Sequence, residues 1–319
     1  LARLDDTNSR VRLAVARALG RLQDQRAVTP LLSKVQDEAT EVRQAVIRTL
    51  GELGESRAAA ALLVALRDPV VEVRIEALAA LGRLRAADAV ASIAPMATDT
   101  SRRTGVADVR RAALDALGRI GTPQAVAVIA RAFGTLEDER AGVLPSPARE
   151  AALRAGEAAV PPLMTVLQTR REPAVLSSAA WVLGQLRAPH AGEIIVDALQ
   201  RGLLPTAAAL HALASRADPT FLAVGLEHVA SADRAVRAEA LAAVRAMLDP
   251  TRPDGRAVEP LLAAFEQAAP GDRPELARLL GLTGAERVVP LLMGLTSAKS
   301  ESLQIAALEG LASLGATAK

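Results

Sequence analysis

The chain repeats itself. Ser9–Leu22 (SRVRLAVARALGRL), Thr40–Leu53 (TEVRQAVIRTLGEL), Val71–Leu84 (VEVRIEALAALGRL) and Ala107–Ile120 (ADVRRAALDALGRI) align without gaps. Val11, Val42 and Val73 fall 31 residues apart, and Val109 follows 36 later. A fixed period of this length marks a structure made by stacking one supersecondary unit, since a single unit cannot bury its own apolar face. Weaker copies run through Pro173–Leu186, Arg234–Met247, Asp272–Gly284 and Glu301–Gly315, and degenerate ones at Pro147–Gly156 and Pro205–Ala214 fill the gaps. About ten units are expected.

Each unit divides into two helices. The first is short and often carries proline in its opening turn, as in VTPLLSKV, VPPLMTVL, VEPLLAAF and VPLLMGL. There the missing N–H costs no helical hydrogen bond. The second reads V-R-x-x-A-x-x-A-L-G-x-L. Counted from the valine, positions 1, 5, 8, 9 and 12 form one apolar face at helical spacing. Small residues at 5 and 8 let neighbouring helices come close. Asp6, Asp37 and Asp68, ahead of the first three copies, are natural turn or capping residues. With three Phe, one Trp and no Tyr, the packing falls to Ala, Leu and Val.

The D-x4-V-R…A-x2-A-L-G pattern resembles HEAT repeats of the short, PBS-lyase-like variety. Tetratricopeptide units want aromatics, and ankyrin units a T-P-L-H, that are missing here. The resemblance implies an all-α, right-handed α-solenoid (superhelix) of about ten helix-turn-helix HEAT-like repeats. One repeat domain is expected over residues 1–319: regular over 5–133, irregular with a long turn over 134–229, and further repeats over 230–319. The pattern is already under way at Leu1, so a fragment of a longer chain is expected.

Arg12, Arg43, Arg74, Arg110 and Arg237 occupy position 2, and the first three follow Asp6, Asp37 and Asp68 at a constant offset. A ligand site uses one or two arginines. A regularly repeated Asp–Arg pair points instead to a repeated structural task, which the guanidinium fork can perform by bridging a carboxylate and backbone carbonyls. In HEAT-like families these positions resemble a ladder joining the turns of adjacent repeats. Leu176, Thr206 and Gln304 replace the arginine later, so interruptions are expected there.

Positions 3, 7 and 11 point away from the apolar face of the second helix, which lines the concave side of HEAT-like arrays. Position 7 holds Arg17, Arg48, Arg154, Trp181 and His211, and position 11 holds Arg21, Arg83 and Arg119. These eight are the candidate partner-binding residues. Residues 1–133 carry 20 basic and 15 acidic residues, which fits two readings of a mostly basic early groove, a solvated arginine-rich face or a docking surface for an acidic helix or tail. Trp181, the chain's only tryptophan, falls where a water-facing residue belongs: either it is a binding anchor, since tryptophan is enriched among binding hot spots, or a local shift tucks it between helices. Three longer turns extend the edges: Thr98–Asp108 with Arg102 and Arg103, Gly134–Ala148 with Glu137, Asp138 and Glu139, and Asp249–Ala257.

Other chemistries find little support. There is no cysteine, and His190, His211 and His228 lack metal-ligand spacing, so neither metal nor cofactor is expected. No glycine-rich phosphate loop or G-x-S-x-G elbow occurs. Net charge is +2, not that of a general nucleic-acid binder. The longest apolar run, about Ala58 to Leu66, is too short to cross a bilayer. Thirty-five of the 38 basic residues are arginine, which points to a GC-rich, bacterial genome. A cytoplasmic compartment is favoured. The expected function is a non-enzymatic protein–protein interaction scaffold. The alternatives are a structural subunit of a larger complex or, as the resemblance implies, a bilin-binding or bilin-lyase protein or a HEAT-like DNA-binding protein.

Overall fold

A computed structural model describes residues 1–101, 103–134, 146–249 and 251–317, all helix, turn and coil. Arg102, the acidic Glu137, Asp138 and Glu139, and Pro250 lie outside the described residues. The second helix of each unit takes an odd number. These are α1 (Ser9–Leu22), α3 (Thr40–Leu53), α5 (Val71–Arg83), α7 (Val106–Ile120) and α9 (Pro147–Ala155), then α11 (Pro173–Gln185), α13 (Thr206–Arg216), α15 (Arg234–Met247), α17 (Arg273–Leu282) and α19 (Glu301–Thr317). First helices alternate with them: α2 (Val28–Leu32), α4 (Ala59–Ala65), α6 (Val90–Thr98), α8 (Pro123–Arg131), α10 (Val160–Thr169), α12 (Ala191–Gln200), α14 (Leu222–Leu226), α16 (Val258–Gln267) and α18 (Val289–Leu295). This is an all-α solenoid. It divides into two compact units, Leu1–Ala179 and Ala180–Lys319.

The repeat motif maps directly onto packing. In the first unit α1, α3, α5, α7 and α9 stack in sequence, and α3, α5, α7 and α9 each also rest on a short even helix. Every even helix sinks at least one aliphatic side chain fully, such as Leu31, Leu62, Ile93, Ile129 and Leu163. The odd helices are covered on more than one side. In α3, Val42, Ala45, Val46, Ile47, Thr49, Leu50, Gly51 and Leu53 are all buried, which adds positions 4, 6 and 10 to the face read from spacing. Positions 4, 6 and 10 are buried because each odd helix meets two like neighbours.

The glycine at position 10 marks that neighbour contact. A Cβ built on Gly51 would lie 2.8 Å from the Ala80 Cα, and one on Gly118 would lie 2.5 Å from the Ala151 carbonyl oxygen. Backbones this close exclude any side chain. The buried Thr49 hydroxyl crosses the same kind of seam, donating to the Ala16 carbonyl of α1 at 3.1 Å, so its burial leaves no polar group unmet. After each of the first four odd helices the chain reverses through a left-handed residue, Gln23, Gly54, Arg85 or Gly121.

Candidate functional site

Three of the position-2 arginines, Arg12, Arg43 and Arg237, reach from their odd helices into two turns at once. Arg12 donates from Nη1 to the Asp6 and Thr7 carbonyls at 2.9 and 3.1 Å, and from Nε and Nη2 to both oxygens of Asp37 at 2.8 Å. Arg43 repeats this on the Asp37 and Glu38 carbonyls (3.0 and 3.2 Å) and the Asp68 carboxylate (2.8 and 3.1 Å). Arg237 joins the Ser231 carbonyl (2.6 Å) to Asp272 (2.9 Å). Pairing by constant offset therefore needs correction. The aspartate six residues upstream contributes its backbone carbonyl, and the carboxylate belongs to the following unit. The reason is local: Asp37 and Asp68 accept the Ala39 and Val70 N–H at 3.0 and 2.9 Å, which turns each carboxylate toward the preceding arginine. Burial pushes both carboxyls up, but the arginine and N–H bonds outweigh it and hold both below 3.8.

The later rungs differ. Arg110 donates to the Asp99 carbonyl at 2.9 Å. Arg74 keeps its two carbonyls, Asp68 at 2.8 Å and Pro69 at 3.1 Å, but grips no carboxylate among the described residues. Leu176 is fully buried, and Gln304 supplies half a rung by donating to the Ala298 carbonyl at 2.7 Å. Spacing alone passed over Arg149, at position 2 of α9, because Ala148 stands where the motif has valine. It donates to the Ser178 hydroxyl at 3.2 Å.

The odd-helix face opposite the even helices carries the eight candidate binding residues. Its cations are interleaved with acids. Arg48 and Arg83 share Glu76 at 2.7 and 3.1 Å, and Arg119 and Arg154 share Asp115 at 2.8 and 2.5 Å. In the second unit His211 Nδ1 meets Glu239 at 3.0 Å. The expected basic groove is thus largely a zipper of alternating charge that staples successive odd helices. Arg17 and Arg21 are the exceptions, with no partner among the described residues. With Arg48, Glu41, Gln44 and Glu52 they line a groove of about 330 Å³ between α1 and α3. The acids Glu76 and Glu239, both at position 4, went unread in the sequence. Their signal was a shared separation of 28 residues from the position-7 side chain before them.

Trp181 and His211 lie on α11 and α13, which pack so tightly that a Cβ on Gly184 would meet the Ala212 carbonyl oxygen at 2.6 Å. Trp181 is half-buried. His211 leaves 41% of its side chain exposed while it holds Glu239. On the even-helix side, Pro123, Ala127, Pro162, Val166 and Val175 line an apolar groove of about 480 Å³ between α8 and α10. Among the described residues no cluster of three metal-ligating side chains occurs, and no helix is long and apolar enough to cross a membrane.

A model of HEAT repeats matches residues 1–72 and 60–144, and one of the PBS lyase HEAT-like repeat matches residues 175–201, together more than half of the chain. The chain belongs to the HEAT-repeat family. No curated protein matches it in sequence. Among solved structures, a Kap121p mutant and Kap121p bound to Nup53p each superpose with a TM-score of 0.67, at 12% and 13% identity, over 98% of this chain and 40% of theirs. The CpcE–CpcF complex of phycocyanin lyase from a Nostoc species is 22% identical over 77% of this chain and 92% of its own, with a TM-score of 0.41. The HEAT fold explains the division of labour along each odd helix. Position 2 ties turns, position 10 lets backbones touch, and positions 7 and 11 carry the side chains of the charged face.

Proposed function

We propose that this HEAT-repeat chain is a non-enzymatic scaffold that docks another protein along its odd-helix face and extended turns. The observation that carries the reading is the state of that face. Most of its charged side chains, Arg48, Arg83, Arg119 and Arg154 among them, are already tied to acids of the face, so their positions are set before any partner arrives, and a preorganised surface loses less entropy on binding. Arg17 and Arg21 stand ready for acidic groups in the first unit, and Trp181 and His211 offer an aromatic anchor in the second. Kap121p, which shares the fold of this chain, is bound to Nup53p in one of these structures, and a like use is proposed here.

Affinity capture with the chain as bait, followed by calorimetry on the recovered pair, tests this. Alanine at Arg17 and Arg21, or at Trp181 and His211, is expected to weaken binding at least tenfold, about 1.4 kcal/mol. Unchanged affinity in both variants overturns the assignment of the face. A structural-subunit reading has its own support, because Met293, Ile305 and Leu308 on α18 and α19 are exposed. Leu308 sits at position 6, which neighbouring helices bury elsewhere.

A further inference from the structure

Arg74 holds a vacant rung. Its Nη1 is anchored on two carbonyls in the manner of Arg12 and Arg43, so the plane of its guanidinium is fixed. In Arg12 and Arg43 the remaining edge, Nε with Nη2, grips both oxygens of an aspartate at 2.8–3.1 Å. In Arg74 that edge meets no acceptor among the described residues.

The lengthened turn after α6 explains the vacancy. Asp99 is the aspartate of this unit, since it accepts the Ser101 N–H at 2.8 Å as Asp37 accepts that of Ala39. Its other oxygen goes to Arg103 Nη2 at 3.3 Å instead of crossing to Arg74. Gly105 then brings the turn down onto Val71 in the first turn of α5, where a Cβ would lie 2.9 Å from Val71 Cγ2.

We propose that the open edge of Arg74 is a docking point for a carboxylate on an acidic segment of a protein partner. A guanidinium already locked by two carbonyls loses little further freedom on binding, and its Nε–Nη2 edge matches a carboxylate in two parallel bonds. Arg103, on the same turn and largely exposed, pairs with Asp99 and so keeps that aspartate from closing the Arg74 edge. The proposal rests on the scaffold reading and assigns partner chemistry to one extended turn, apart from the odd-helix face.

The test is fluorescence anisotropy with a labelled, acetylated hexa-aspartate peptide at low salt, on the intact chain. Arg74→Gln and Arg74→Lys are both expected to weaken binding about tenfold, lysine because it keeps the charge but lacks the fork. Arg43→Gln, whose carboxylate partner lies within the chain, is expected to change affinity less than about twofold while lowering the unfolding midpoint. Arg17→Gln/Arg21→Gln is expected to leave most of the binding in place, which separates this edge from the odd-helix face. No saturable binding by the wild type overturns the proposal. So does equal binding by Arg74→Lys, or loss of all binding in the Arg17/Arg21 variant alone.

Discussion

Replacing Gly118 by alanine tests whether position 10 sets how closely odd helices stack. The added Cβ would sit 2.5 Å from the Ala151 carbonyl oxygen and 3.0 Å from its Cα, where ordinary contact begins at 3.4 Å. The obstacle is backbone, which cannot swing aside, so α7 and α9 must part by most of an ångström. Overpacking of this kind costs about 1–3 kcal/mol. Alanine's advantage over glycine within a helix returns at most about 1 kcal/mol. The expected net loss is up to about 2 kcal/mol. Gly294 is the control: it lies near the end of α18 with nothing within 4 Å of a built Cβ, so its replacement by alanine should only gain, by up to about 1 kcal/mol. Urea unfolding followed by circular dichroism reads both. With a slope of about 2 kcal/mol/M, Gly118→Ala should lower the midpoint by up to roughly 1 M and Gly294→Ala should raise it. If Gly118→Ala raises the midpoint as Gly294→Ala does, the close-approach account is wrong.

Three further outcomes are expected. Asp68→Asn removes the carboxylate that Arg43 grips with two bonds and should lower stability by about 1 kcal/mol, measured by the same unfolding curves. Because Asp37 and Asp68 are held below 3.8 in the folded chain, their contribution is complete above that value and is lost as pH falls through the lower folded value. Stability measured from pH 5 down to about 2 should therefore decline, and Asp37→Asn/Asp68→Asn should flatten that decline. Trp181→Ala, at a half-buried site, should cost about 2 kcal/mol and also weaken partner binding. A stability loss with unchanged affinity would make Trp181 a packing residue.

The helices were legible because their signal is local. The valine at position 1, the leucine at position 9 and the glycine at position 10 recur within one helix, so periodicity alone places them on faces. What spacing could not show is which helix lies opposite. Arg12 and Asp6 keep a constant separation in sequence, yet the carboxylate that Arg12 holds is Asp37, brought in by the stacking of units. Glu76 and Glu239 look like ordinary surface acids until α3 and α5, or α13 and α15, are laid side by side. The vacancy at Arg74 depends on a turn whose path no periodicity describes. It required Gly105 to be found against Val71 and Asp99 turned toward Arg103.

The most direct test of the scaffold account is hydrogen–deuterium exchange of the chain with and without a captured partner. Slower exchange on binding is expected in peptides from the odd helices, above all those containing Arg17 and Arg21 or Trp181 and His211, and in the Thr98–Asp108 turn. Protection confined to the even helices, around Ala127 and Val166, would contradict it and move the docking surface to the opposite face.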